Sequence, residues 1–174
     1  MLDVIEIIEL SMIAGLAAGW LGEHQRTRRM MIDPAYGIYT RVAAEARPPK
    51  SGSIIFWDID DMRSLNQQWT YEGTDQKIKT VLKQVRAGRN CHLVARWYSG
   101  DEFIYSCPSK DAASAADRIQ ALFRSQGISI TIGIAPIVDQ DWQSAVRVAS
   151  LLVQEAKCKG QHGGVFHPPV YAHC

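Results

Sequence analysis

Runs of apolar residues separated by polar turns divide the chain into predicted strands and helices. Residues 54–57 form a continuous apolar run, which is typical of a strand buried inside a sheet. Residues 91–95 and 103–106 are rich in strand-forming residues and flank a short turn, so they predict a hairpin. A further strand is predicted over residues 128–134. Helical spacing of apolar residues predicts helices over residues 34–46, 73–86, 112–126 and 142–157.

This order of elements predicts an α+β fold of the palm type, in which helices cover one face of a central, mostly antiparallel sheet. A chain of 174 residues suits one such domain plus an appendage. The formal net charge of +1 gives no general attraction to nucleic acid, so no nucleic-acid polymer is expected as a partner. The four cysteines show no paired or zinc-binding spacing, which favours reduced thiols.

Carboxylates stand where two of the predicted strands end. Three aspartates lie within residues 58–61, directly after the strand at 54–57, and Asp101 and Glu102 lie at the tip of the hairpin. Acids at the ends of neighbouring strands suit Mg²⁺, which takes a few carboxylates and completes its shell with substrate phosphates. Clustered aspartates also cap helices, and acidic hairpin tips are commonly just solvated, so a purely structural role stays open.

Four segments together resemble the GGDEF family of diguanylate cyclase domains. The signature is present in the variant form Ser-Gly-Asp-Glu-Phe at residues 99–103. Residues 33–41 resemble the opening motif D-x-L-T-G-L-x-N-R, and residues 58–66 resemble D-I-D-x-F-K-x-I-N. Residues 155–160 resemble the closing motif A-K-x-x-G-R. The resemblance implies a GGDEF, or nucleotidyl-cyclase palm, domain over residues 33–166, followed by a tail at 167–174.

The resemblance implies a diguanylate cyclase, which joins two GTP molecules into cyclic di-GMP and releases pyrophosphate across a homodimer. It implies Mg²⁺, with Mn²⁺ as a substitute, held by Asp58, Asp101 and the carbonyl of Ile59. Glu102 would lie beside the ion as a further acid or as the group that activates the attacking hydroxyl. Asp58, Asp101 and Glu102 are therefore the expected catalytic residues.

A set of substrate-binding residues is implied in the same way. Its members are Asp61, Met62, Arg63, Asn66, Asp75, Ser99, Gly100 and Lys157. Backbone N–H groups at residues 61–62 and the charges of Arg63 and Lys157 would serve the phosphates. Asn66 and Asp75 would recognise the base. A carboxylate can accept from N1–H and N2–H of guanine together, and adenine offers no such pair, so Asp75 favours GTP.

Several positions depart from the family pattern. Ser99 replaces a glycine of the signature, and Trp97 and Gln161 stand where the family has arginines. Thr70 and Thr74 replace glycines in the loop before Asp75. Asn90 and Leu93 occupy the two positions of the R-x-x-D product-inhibition pair. Product inhibition is therefore expected to be absent. Two alternatives to an active cyclase stay open: a catalytically silent module that binds GTP or a cyclic dinucleotide, and a palm cyclase, similar to CRISPR-polymerase-like enzymes, that makes another cyclic nucleotide.

An apolar segment precedes the predicted domain. Residues 1–24 predict a helix and residues 25–32 a basic linker. Residues 4–21 are almost wholly apolar and reach the lower limit for crossing a bilayer. Arginines follow the apolar run, which predicts an anchor in the inner membrane with the catalytic domain in the cytoplasm.

The alternative for this segment is an amphipathic dimerisation helix in a cytoplasmic protein. Glu6 and Glu9 favour it, because two glutamates are costly in hydrocarbon. The small residues Ser11, Gly15 and Gly19 recur at every fourth position, a spacing that allows two helices to approach closely. As a soluble helix, the segment would pack on the domain or on a partner, whereas pairing of two such helices in the membrane would bring two copies of the domain together.

Overall fold

The computed structural model describes residues 12–13, 15–20, 31–88, 90–98 and 100–168. Most of the predicted N-terminal helix, the basic linker and the tail lie outside these residues, as does Ser99. Residues 12–13 and 15–20 are helical and exposed to solvent. Within the described part of the chain, no helix combines the length and apolar character needed to cross a membrane.

The core of the domain is a five-stranded sheet with the strand order β2-β3-β1-β4-β5. The strands are β1 (Ser53–Ile59), β2 (Leu93–Arg96), β3 (Glu102–Cys107), β4 (Ile130–Pro136) and β5 (Val165–Phe166). Neighbouring strands run antiparallel except β4 and β5, which are parallel. The prediction of a central, mostly antiparallel sheet in an α+β fold is confirmed.

Helices cover both faces of the sheet. They are α1 (Arg41–Ala46), α2 (Met62–Arg86), α3 (Ala112–Ser125) and α4 (Trp142–Cys158), with a 3₁₀ turn over Ser109–Asp111. Helices α2 and α3 pack on one face, and α1 and α4 on the other. The prediction that helices cover one face is therefore wrong. Strand β1 shows the cause, because Ile55 and Trp57 are buried on the first face while Ile54 and Phe56 are buried on the second.

The opening motif forms a turn before its helix begins. The Asp33 Oδ1 atom accepts hydrogen bonds from the backbone N–H groups of Ala35 and Tyr36, both at 3.0 Å. Gly37 follows with a φ of 69°, a conformation that interrupts a helix and favours glycine. The predicted helix over residues 34–46 is thus too long, and α1 has only 6 residues. A local side-chain bond has competed with helix formation.

Helix α2 is longer than predicted and is kinked. The apolar spacing predicted a helix over residues 73–86, whereas α2 begins at Met62. Thr70 interrupts the helix with a φ of 65° and a ψ of 167°, so the apolar positions before and after the kink do not share one helical period. The Thr74 hydroxyl donates to the carbonyl oxygen of Thr70 at 2.9 Å across this kink.

Candidate active site

The pairing of β1 with β3 brings the predicted acids together. Asp58 lies directly opposite Glu102 in the antiparallel register. One residue further along, the backbone N–H of Ile59 donates to the carbonyl oxygen of Asp101 at 3.2 Å. The end of β1 and the tip of the β2–β3 hairpin therefore form one edge, which carries the three acids predicted to be catalytic.

This edge holds several negative charges in a partly buried setting. Burial raises the pKa of Asp58, the nearby charges of Asp101 and Asp60 raise it further, and Lys157 acts in the opposite direction. Burial also raises the pKa of Glu102, and the charges of Asp58 and Asp101 add to that rise. Like charges at such an edge favour the binding of a cation.

The ammonium group of Lys157 lies among these oxygen atoms. Its Nζ atom is 2.7 Å from Asp58 Oδ1, 3.1 Å from the Ile59 carbonyl oxygen and 3.4 Å from Asp60 Oδ1. Two of these three oxygens belong to residues predicted to hold a metal. These carboxylate and carbonyl oxygens are the type of ligand that Mg²⁺ prefers, and the contact with the Lys157 ammonium shows that they already attract a positive charge.

The protein supplies only part of the ligands that a Mg²⁺ ion needs. Among the residues that the structure describes, no three histidine, cysteine or carboxylate side chains form a ready-made metal site. This agrees with the preference of Mg²⁺ for one or two carboxylates plus substrate phosphates and water.

Asp60 lies beside the predicted site and is held there by hydrogen bonds that the sequence did not predict. Its side chain is only 7% exposed and accepts hydrogen bonds from Ser129 Oγ at 2.6 Å, Thr131 Oγ1 at 2.7 Å and the backbone N–H of Gly163 at 3.1 Å. Burial opposes ionisation of Asp60, but the hydrogen bonds from Ser129 and Thr131 and the charge of Lys157 outweigh it and lower the pKa. Asp60 thus links the end of β1 to the start of β4 and to the segment before β5.

Asp61 caps α2. Its backbone is left-handed, with a φ of 51°, and its Oδ1 atom accepts from the Ser64 N–H at 3.2 Å. The helix-cap interpretation therefore holds for Asp61. Met62 is the first residue of α2, so the backbone N–H groups expected to meet phosphates lie in the first turn of this helix.

The predicted base-recognition residues divide between two places. A cavity of about 380 Å³ is lined by Arg63, Asn66, Gln67 and Tyr71. Asp75 does not line it and instead accepts a hydrogen bond from the Tyr36 hydroxyl at 2.8 Å. Burial and this bond to Asp75 raise the pKa of Tyr36. The kink at Thr70 falls between Asn66 and Asp75.

Arg96 ties the hairpin tip to the opening motif. Its Nε atom donates to the Gly100 carbonyl oxygen at 3.0 Å, and its Nη1 atom lies 3.1 Å from Asp33 Oδ2. Trp97 points away into the core, where its ring centroid lies 5.4 Å from that of Trp142. Neighbouring residues of an extended chain point to opposite sides, and Arg96 and Trp97 do so here. The contacts of Arg96 depend on the folded chain.

A family model described as "Diguanylate cyclase, GGDEF domain" matches residues 37–163. This chain belongs to the GGDEF family. The match includes the edge formed by β1 and the β2–β3 hairpin, the whole of α2 and the closing motif that carries Lys157. The family predicted from the order of the motifs is confirmed.

Relatives of this GGDEF domain include a protein named probable diguanylate cyclase DgcC from Escherichia coli K12. The two are 24% identical over 168 residues, which cover 82% of this chain and 45% of that protein. The chain thus spans less than half the length of the curated relative that it matches.

Solved structures share the GGDEF fold. The coiled coil and GGDEF domain of DgcB from Caulobacter crescentus, in complex with c-di-GMP, superposes with a TM-score of 0.73 at 17% identity, covering 95% of this chain and all of that one. Diguanylate cyclase SiaD from Pseudomonas aeruginosa, in complex with its activator SiaC, gives a TM-score of 0.66 at 16% identity over 92% of this chain and 71% of that one. These similarities confirm the predicted fold.

Proposed function

We propose that this GGDEF domain is a diguanylate cyclase that condenses two GTP molecules into cyclic di-GMP and pyrophosphate. The main support is the edge at which Asp58, Asp101 and Glu102 converge and where the ammonium of Lys157 already lies on two oxygens of the expected metal site. Phosphoryl and nucleotidyl transfer depend mainly on such positioning and on charge stabilisation.

Asp58, Asp101 and the Ile59 carbonyl would hold Mg²⁺, or Mn²⁺ in its place. The bound ion would lower the pKa of the attacking 3′-hydroxyl and offset charge on the leaving pyrophosphate. Glu102 would accept the proton of that hydroxyl. Its raised pKa, caused by burial and by the charges of Asp58 and Asp101, makes it a stronger base than an ordinary glutamate.

The substrate would extend from this edge along α2. The first turn of α2, with Asp61 and Met62, would offer backbone N–H groups to the phosphates, and Arg63 would add positive charge. The cavity that contains Asn66 would receive the guanine base. Ser99 and Gly100 would lie against the nucleotide at the hairpin tip, and Asp75 would recognise the base with the acceptor sites that the Tyr36 hydroxyl leaves open.

A homodimer is part of the proposal. Each GTP must offer its 3′-hydroxyl to the α-phosphate of the other, and one domain carries one set of acids. Two GTP-loaded copies would therefore face each other with their β1 and hairpin edges opposed.

The test is an assay of purified protein with GTP or ATP and Mg²⁺, with products separated by chromatography. We expect cyclic di-GMP from GTP and no cyclic product from ATP. The Asp101→Ala variant should lose all turnover and keep the wild-type circular dichroism spectrum, because Asp101 lies at the hairpin tip outside the core. Asp117→Ala, which removes an exposed carboxylate on α3, is the matched control and should keep full activity.

Three results would contradict the proposal. Turnover in Asp101→Ala would refute its role in metal binding. Binding of GTP by a wild-type protein that forms no product would indicate the silent binding module, which Gln161 favours by removing one positive charge from the closing motif. A different cyclic nucleotide as the product would indicate another class of palm cyclase.

A further inference from the structure

We infer that Lys157 serves as an internal cation for the acidic edge and must be displaced from Asp58 before a divalent cation can bind. The inference rests on the proposed function, in which Asp58 and the Ile59 carbonyl hold a metal ion. It assigns to Lys157 a role in setting metal affinity, in addition to the expected contact with phosphate.

The first argument is that the lysine and the ion need the same atoms. Lys157 Nζ lies 2.7 Å from Asp58 Oδ1 and 3.1 Å from the Ile59 carbonyl oxygen. Mg²⁺ binds oxygen at about 2.0–2.1 Å and tolerates little departure from octahedral geometry. An ammonium group this close to both oxygens occupies the space that such an ion requires, and the two cations also repel each other.

The second argument is that Lys157 can leave Asp58 without losing all negative partners. Asp60 Oδ1 is its second carboxylate contact, at 3.4 Å. Asp60 is itself held in place by hydrogen bonds from the hydroxyls of Ser129 and Thr131 and from the backbone N–H of Gly163. A lysine that releases Asp58 therefore keeps a fixed carboxylate beside it.

The third argument concerns freedom of movement. Lys157 lies in the last turn of α4, where a positive charge interacts favourably with the helix dipole. Its side chain is 23% exposed, so the end of its flexible stem is not enclosed by the core. The backbone of α4 can stay in place while the ammonium group turns from the metal oxygens toward solvent or toward a phosphate.

The consequence is a competition that the sequence alone does not show. Without metal, Lys157 compensates the charge of Asp58 and stabilises the fold. With metal, the same charge is compensated by the ion, and Lys157 becomes available to an incoming triphosphate. Metal binding in the absence of nucleotide should therefore be weakened by Lys157.

The experiment measures Mn²⁺ binding to the full chain without nucleotide, from the electron paramagnetic resonance signal of free Mn²⁺. Lys157→Met should bind Mn²⁺ about tenfold more tightly than wild type, because the competing charge is gone. Lys159→Met removes an exposed lysine two residues away that pairs with Glu155, and it should bind Mn²⁺ like wild type. The double variant Asp58→Asn with Lys157→Met should lose the tight binding, which would place the ion at this edge.

Thermal unfolding gives a second measurement. Lys157→Met should unfold at a lower temperature than wild type without metal, and Mn²⁺ should raise its midpoint by more than it raises that of wild type. If Lys157→Met does not fold, Lys157→Gln replaces it in both measurements. Equal or weaker Mn²⁺ binding by the Lys157 variant, or no binding by either protein at millimolar Mn²⁺, would overturn the inference.

The GTP assay separates this inference from the proposed function. Tighter Mn²⁺ binding by Lys157→Met together with no product from wild-type protein would support the inference and refute the cyclase. Product formation by wild type with unchanged Mn²⁺ affinity in Lys157→Met would refute the inference alone.

Discussion

At the scale of single residues, the buried carboxylate of Asp60 contributes more to the fold than its position in an acidic cluster predicts. It accepts hydrogen bonds from two hydroxyl groups and one backbone N–H, and Lys157 lies beside it. These partners come from β4 and the residue before it, from the segment before β5 and from α4. Asp60 thus determines how the end of β1 meets the rest of the site.

Asp60→Asn should lower the free energy of unfolding by about 2–4 kcal/mol at pH 7, because an amide cannot accept from all of these donors. The folded-state pKa of Asp60 is lowered, so its stabilising effect is present above the usual aspartate pKa and is lost as the pH falls through the lowered value. Urea unfolding at neutral and acidic pH measures this difference. Asp117→Asn is the control, and an Asp60→Asn variant as stable as wild type at pH 7 would contradict the account.

The ionised carboxylate of Glu102 destabilises the folded protein, whereas that of Asp60 stabilises it. Burial and the charges of Asp58 and Asp101 raise its pKa in the folded protein, so its ionisation costs stability as the pH rises above the usual glutamate value. Glu102→Gln should therefore raise the unfolding midpoint at pH 7 by roughly 1–3 °C. The gain should disappear near pH 4, where wild-type Glu102 is protonated.

The same Glu102→Gln variant should lose at least about 10²-fold in turnover if Glu102 accepts the proton of the attacking hydroxyl. Glu72→Gln, at an exposed position of α2, should change neither the midpoint nor the turnover. A less stable Glu102→Gln protein would show that Glu102 is held by contacts that outweigh the repulsion.

At the scale of the elements, α2 carries backbone strain at its kink. Thr70 has a φ of 65° and a ψ of 167°, a conformation that is rare for a residue with a branched side chain. The GGDEF pattern has a glycine at this position. Glycine adopts a positive φ without steric cost, so the threonine must be held there by its surroundings, including the bond from the Thr74 hydroxyl.

Thr70→Gly should raise the free energy of unfolding by about 1 kcal/mol, since the relief of strain exceeds the added entropy of the unfolded chain. Thr70→Ala keeps a β-carbon and should not be stabilised. Urea unfolding of the three proteins measures the effect. If Thr70→Gly is the least stable of them, the hydrogen bond from the Gly73 N–H to the Thr70 hydroxyl contributes more than the strain costs.

At the scale of the whole molecule, the proposed reaction requires two domains. In the described part of the N-terminal helix, the exposed fractions of Met12, Leu16 and Trp20 are 64%, 73% and 65%. A β-carbon added at Gly15 or Gly19 would have no other atom within 4 Å, so the surface there is open. Apolar side chains and small residues on one exposed helix suit pairing with a second copy. Such pairing would raise the effective concentration of one catalytic edge near the other.

Removal of residues 1–27 should therefore lower specific activity at low protein concentration by roughly 10²-fold, and the activity should recover as the concentration rises. Initial rates of the full chain and the truncated chain, measured across a range of protein concentrations, provide the test. Equal activity of both proteins at nanomolar concentration would show that this helix does not bring the domains together.

The sequence by itself determined the family, the order of the elements apart from β5, and the two strand ends that carry the acids. A short apolar run such as residues 54–57, bounded by polar residues, indicates a buried strand, and the spacing of the motifs fixes which acids follow it. Hairpin formation between β2 and β3, a local property of the chain, places Asp101 and Glu102 at one turn. The pairing of β1 with β3 that brings Asp58 opposite Glu102 joins distant segments and belongs to the tertiary structure.

Tertiary structure alone decided the rest. Lys157 reaches Asp58 across 99 positions of sequence, and Ser129 reaches Asp60 across 69, so no local pattern could predict either contact. The turn at Asp33 and the kink at Thr70 were missed because a side-chain hydrogen bond and a strained backbone angle override helix propensity. Coverage of both sheet faces was settled by the packing of α1 and α4, since burial depends on every element that surrounds a strand and not on the strand alone.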